Sequence, residues 1–141
     1  MIDPFDPKWK PLMPPTATTR FLPVILESPY KADRYEVRVN VAYAQFCVRD
    51  CLARGEAPFA SHLIYTQALD DALPVERQMG IEAGFAWAPL AKKSVIYTDI
   101  GVSSGMQKGI DNALMYGLPV EYRTLPYTQL MMFERQNLGP R

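Results

Sequence analysis

Ser94-Val95-Ile96-Tyr97-Thr98-Asp99-Ile100-Gly101-Val102-Ser103-Ser104-Gly105-Met106 is the stretch whose reading decides the fold. It opens as a short apolar run, the pattern of a strand covered on both faces. Gly101 and Gly105, with serines between them, break that run. From Met106 onward, Met106, Ile110, Ala113 and Leu114 recur at helical spacing until Gly117 supplies a stop. A strand that feeds a helix through a glycine-rich turn is half of a β-α-β unit.

The same alternation extends to both sides. Phe21 to Glu27 reads as a first apolar strand, followed by the loop Ser28-Pro29-Tyr30-Lys31-Ala32-Asp33. Asp33, with Glu36 three positions on, forms a capping-box pattern for a helix reaching about Arg54. Val37, Val41, Ala44, Val48 and Cys51 form its expected buried stripe. Ala57 to Ser61 reads as a second strand, and a long loop runs from His62 to about Pro74. A second helix is expected over Val75 to Ala86, with Met79, Ala83 and Phe85-Trp87 on its apolar side. Ser94 to Thr98 is the third strand, Pro119 to Tyr122 the fourth, and Tyr127 to Gln136 a last helix.

Helices between consecutive strands predict parallel pairing through right-handed crossovers. The expected fold is therefore α/β: a small doubly wound parallel sheet of about four to five strands, in a flavodoxin-like three-layer sandwich. Residues 1–20 carry Pro4, Pro7, Pro11, Pro14 and Pro15 and read as an extended arm that Phe5, Trp9 and Leu12 can anchor. Residues 21–125 form the α/β domain, and residues 126–141 a C-terminal helix and tail.

At 141 residues the chain has the size of one domain. Its 15 Lys and Arg balance 15 Asp and Glu. That balance argues against nucleic acid or a membrane surface as partner, because both call for a clustered basic excess. It leaves self-association open. No apolar run approaches the roughly 20 residues of a membrane span. The N-terminus shows no signal-peptide pattern, and the expected compartment is the cytosol. Cys47 and Cys51, four apart, share one helix face and read as core residues. His62 is the only other strong metal ligand, so no metal and no cofactor are expected.

In open parallel sheets ligands bind beyond the carboxyl ends of the strands. Ser28, Pro29 and Tyr30 follow strand one; His62 and Tyr65 follow strand two. After strand three, Gly101, Ser103, Ser104, Gly105 and Met106 lead into a helix N-terminus, where unpaired amides and the helix dipole favour an anion. The alternative is a plain serine cap. No Gly-Lys-Ser/Thr follows, so nucleoside triphosphate hydrolysis is not expected. Tyr30 and Tyr65 are candidate stacking residues, and His62 a candidate substrate contact or proton carrier. Asp70-Asp71 reads as a solvated turn, and Arg34 and Arg38 as solvent-facing or as phosphate partners.

Ser28-Pro29-Tyr30, Ala57-Pro58-Phe59-Ala60-Ser61-His62-Leu63, Ser104-Gly105-Met106 and Gly117-Leu118-Pro119-Val120 together resemble the nucleoside 2-deoxyribosyltransferase-like superfamily. The resemblance covers about residues 21 to 123 and is nearest to small bacterial and phage members. It implies a flavodoxin-like fold, homo-oligomers, no metal, and transfer or hydrolysis at the N-glycosidic bond of a nucleoside or nucleotide. Ser103, Ser104 and Gly105 match the turn that holds the monophosphate in the hydrolases of that group. The resemblance also implies a glutamate nucleophile on the following helix, with an aspartate nearby. The first falls near Gly109, where the nearest acid is Asp111. The second falls near Gly84, where the nearest acid is Glu82. Glu82, Asp99 and Asp111 are therefore the candidate catalytic carboxylates. The alternative function is a non-catalytic nucleotide or nucleotide-signal binding protein on the same fold.

Overall fold

The computed structural model describes Leu12 and residues 20–139. The chain folds as β1 (Leu22–Glu27), α1 (Val37–Ala53), β2 (Glu56–Phe59), α2 (Pro74–Phe85), β3 (Lys93–Tyr97), α3 (Ser104–Met115), β4 (Val120–Arg123) and α4 (Tyr127–Asn137). The strands form one parallel sheet of four in the order β2-β1-β3-β4. From β1 the chain crosses outward to β2, then returns to place β3 on the other side of β1. The carboxyl ends of β1 and β3 thus flank the switch point, where a parallel sheet opens a crevice. The architecture is the expected flavodoxin-like three-layer sandwich.

Side-chain alternation assigns the two faces. Val24, Leu26, Val95 and Tyr97 pack against Tyr43, Phe46 and Cys47 of α1 and Phe133 of α4. The Tyr43 and Phe133 rings meet edge to face at 5.3 Å. On the other face Ile96 packs against Met106 and Ile110 of α3. Ile25, Glu27 and Ser94 share that second face with the cavity described below. Cys47 and Cys51 are buried free thiols on the α1 side.

The structure corrects several local expectations. Helix α1 starts at Val37, and its N-cap Glu36 makes no side-chain cap, so the Asp33–Glu36 capping box does not form. Residues 28–36 stay as a loop because buried Asn40 donates from Nδ2 to the carbonyls of Tyr30 (3.0 Å), Lys31 (3.3 Å) and Tyr35 (3.3 Å). The buried α1 stripe includes Val39, Tyr43, Phe46 and Cys47 alongside Ala44 and Cys51, while Val37, Val41 and Val48 are only half-buried. The aromatic rings rotate the helix toward the α4 interface, which its aliphatic spacing did not reveal. Met79 and Trp87 of the expected α2 face are exposed, and the helix turns Gly80, Ile81, Gly84 and Phe85 inward. Leu114 is exposed at the end of α3. The expected loop after β2 contains two short 3-10 turns, Ser61–Leu63 and Tyr65–Gln67. The proline-rich arm of residues 1–20 lies outside the described residues, apart from Leu12 and Arg20, both exposed. No helix among the described residues is long and apolar enough to cross a membrane.

Candidate functional site at the sheet switch point

A cavity of about 380 Å³ opens between the sheet, α2 and α3. That volume lies within the usual range for small-molecule sites. One end is the start of α3. Ser103 is the N-cap, and its Oγ accepts from the Met106 N–H at 3.2 Å. The cap reading therefore holds for Ser103, and the Met106 amide is already used. Ser104 and Gly105, the first two helical residues, line the cavity. Their amides belong to the first turn, where no intrahelical acceptor exists. Arg77 reaches across from α2: its Nη2 lies 3.7 Å from where a Cβ on Gly105 would stand. Its nearest counter-charge is Asp71, at 3.7 Å.

The opposite wall is aromatic. Phe59, at the end of β2, meets Tyr65 edge to face at 6.2 Å and lies tilted against Trp87 at 4.7 Å. The Trp87 Nε1–H donates to the Tyr65 hydroxyl at 2.9 Å, which fixes that ring. Gly84 lets α2 press onto the turn beneath, since a Cβ there would meet Ser61 Oγ at 2.7 Å. This contact places His62, whose Nε2 shares a hydrogen bond with Ser28 Oγ at 2.7 Å. Burial pushes the His62 imidazole down to about 4, so the ring is neutral at pH 7.

Of the residues expected at the site, Ser28, Tyr30, His62, Tyr65, Ser103, Ser104, Gly105 and Met106 line this one cavity. Pro29 and Gly101 do not. Gly101 shapes the approach instead, at φ +100 with its N–H on the Thr98 carbonyl. The three candidate carboxylates all lie outside it. Asp99 is on the α1 side, accepting from Tyr43 Oη at 2.6 Å and from the Leu125 N–H at 3.0 Å, which ties α1 to the β4–α4 link. Glu82 is exposed and bonded to Gln78, and Asp111 is exposed and bonded to Gln107. Their positions follow from helix geometry: both point away from the sheet at residues flanking inward glycines. Arg34 and Arg38 are exposed and also lie outside the cavity.

The carboxylate inside the cavity is Glu27, the last residue of β1. Its side chain fills the space over Gly109 of α3, where a Cβ would fall 1.8 Å from Glu27 Oε2. Among the described residues no hydrogen bond or ion pair reaches the Glu27 carboxyl. Burial pushes it up to about 8, so at pH 7 it is mostly protonated. Deeper on the same face, Ser94 Oγ is buried and has no partner among the described residues. Two sequence signals pointed here. A glutamate closes an otherwise apolar, doubly covered strand, where a charged side chain is out of place unless it is paired. A glycine sits mid-helix at 109, where it costs about 1 kcal/mol relative to alanine and so implies a close approach.

The chain is a three-layer α/β domain with a cavity at the switch point of its parallel sheet. The chain belongs to the family described as Domain of unknown function (DUF7768), which matches residues 23–123. Those residues span β1 to β4 and so carry every wall of the cavity. No curated protein and no solved structure matches the chain.

Proposed function

We propose that this protein binds a nucleoside monophosphate in the switch-point cavity and cleaves or exchanges its N-glycosidic bond. One observation carries the reading. Ser104 and Gly105 at the first turn of α3, Arg77, the Phe59–Tyr65 pair and Glu27 all line a single cavity of nucleotide size. The α3 N-terminus and Arg77 suit a phosphate. The aromatic wall suits a base, and Ser28, Tyr30 and His62, which line the same cavity, are candidate sugar or base contacts. The resemblance of the Ser-Pro-Tyr and Ser-Gly-Met motifs to the deoxyribosyltransferase-like superfamily supports the same chemistry. The partner is then a small molecule rather than a nucleic acid. We further propose a homo-oligomer in the cytosol. Leu114, Met115 and Tyr116 at the end of α3 and Tyr122 on the edge strand are exposed, which favours self-association.

The test is incubation with a panel of ribo- and deoxynucleoside monophosphates, with free base followed by chromatography and binding by thermal shift. Base release from at least one monophosphate is expected. Ser104→Asp should abolish it while leaving the fold intact, because an acid at the first helical position suits the dipole but repels phosphate. Binding without release would favour the non-catalytic alternative. Neither binding nor release with any monophosphate would overturn the reading.

A further inference from the structure

A carboxyl drawn out of bulk water with no neutralising partner among the described residues is costly, and an apolar side chain of similar size would be more stable in its place. Glu27 is in that position, and the molecule makes room for it by leaving α3 without a side chain at Gly109. The helix thereby loses stability at 109 and the strand loses stability at 27. Two coupled costs at the one cavity point to use rather than accident.

Position supplies the rest. Gly109 follows Gly105 by four residues, so the carboxyl stands about 6 Å along the α3 axis from the amides that face the phosphate. In a nucleoside monophosphate the glycosidic bond lies one sugar ring from the phosphate. A carboxyl in the Gly109 notch is therefore at the level of that bond when the phosphate sits on Ser104 and Gly105.

We infer that Glu27, reaching from β1 into the notch over Gly109, is the catalytic acid of this site and protonates the departing base. This inference rests on the N-glycosidic reading above. In the step, the bond between the anomeric carbon and the base nitrogen breaks with its electron pair going to the base. The Glu27 proton moves to that base. A water oxygen bonds to the anomeric carbon, and the proton it releases returns to the Glu27 carboxylate. The products are free base and sugar phosphate, and the enzyme is regenerated without a redox partner.

The electrostatics agree with an acid that is protonated at neutral pH and poised near it. The groups sharing the cavity are these: from the loop after β1, Tyr30, Lys31 and Asp33; from the segment after β2, His62 and Tyr65; and from the approach to α2 and its first turn, Asp71, Glu76 and Arg77. From α3 no charged side chain lines the cavity, since Lys108 and Asp111 face solvent. His62 is neutral, and Arg77 lies by Asp71, so neither holds Glu27 ionised.

The experiment compares wild type with Glu27→Gln on whichever monophosphate releases base. The variant should bind that monophosphate within threefold of wild type and lose 100- to 10,000-fold in kcat, the usual span for a general acid. Wild-type kcat should fall above about pH 8 as the acid ionises. A variant retaining a tenth or more of wild-type kcat would overturn the inference alone and leave the N-glycosidic reading standing. So would a wild-type profile with no decline between pH 7 and 9, a readout that does not depend on the variant folding. A wild type that binds monophosphates but releases no base would overturn both.

Discussion

Two glutamates lie on opposite faces of the same sheet, Glu56 buried and Glu27 half-buried against the cavity, and they could hardly be treated more differently. Glu56, at the start of β2, lies on the α1 face in register with Leu22. Arg123 of β4 grips it with two hydrogen bonds of 2.6 and 2.5 Å, and Lys93 stands 3.0 Å away. Burial by itself would raise its carboxyl, but the bonds from Arg123 and Lys93 outweigh that and hold it at about 2. Arg123 also reaches the Tyr97 hydroxyl, which donates to Asp50 at 2.6 Å. Glu27 lies on the other face, with no partner among the described residues, and is pushed to about 8. The difference separates two environments for an acid on a sheet face. Where every charge is answered, the group ties strands together. Where the charge is left unanswered, the group keeps its proton and can give it away.

The comparison breaks first at Glu56. Glu56→Gln should cost about 3 kcal/mol or more of folding stability, because it strips a buried guanidinium of its main counter-charge. Glu121, which also pairs with Arg123, limits the loss. The urea midpoint at pH 7 measures it, and a loss under about 1 kcal/mol would make the Glu56 pair as dispensable as a surface one.

Glu27→Gln should do the reverse, and the sign follows from linkage. The native Glu27 keeps its proton up to about pH 8, whereas the unfolded chain releases it near 4.5. Wild-type stability contributed by Glu27 therefore declines as pH rises from 4.5 to 8. The stability advantage of Glu27→Gln should grow across that window by up to about 1.4 kcal/mol per pH unit, then level off. Chemical denaturation at pH 5, 6.5 and 8 reads this directly, and a flat difference would show that Glu27 is ionised in the native state. His62 acts in the opposite direction, since its lowered value removes stability as pH falls from 6.5 toward 4. Subtracting variant from wild type cancels that contribution.

The smallest expected effect is at Gly109. Gly109→Ala puts a Cβ where Glu27 Oε2 now sits, but the yielding group is the end of a flexible side chain. The stability cost should be about 1 kcal/mol. In a Glu27→Ala background the same change should instead stabilise by up to about 1 kcal/mol, since alanine is the better helix former, and that non-additivity is the signature of the notch. Equal costs in both backgrounds would mean that Glu27 and Gly109 do not share the space.

Much of this architecture could be read along the chain. Alternating apolar runs and helical stripes gave four parallel strands and their crossovers. Turn chemistry placed Ser28, Tyr30, His62, Ser103 and Ser104 at one edge of the sheet, and they do converge there. The candidate acids, taken by chain position from α2, the β3–α3 loop and α3, all lie outside the cavity. Glu82 and Asp111 are close to the right positions along their helices, yet a helix rotates about 100° per residue, so neighbours in sequence face different ways. Asp99 follows β3 but turns to the α1 face, because Tyr43 and the Leu125 amide claim it.

The sequence by itself determined the class of fold, the polar edge and the serine-glycine turn, since these rest on local periodicity and backbone preference. Only the tertiary structure decided which carboxyl enters the cavity. That depends on β1 lying beside β3 and under α3, a juxtaposition of residues 82 positions apart. Gly109 read alone is a missing side chain. Packed against β1, it is the space that Glu27 fills.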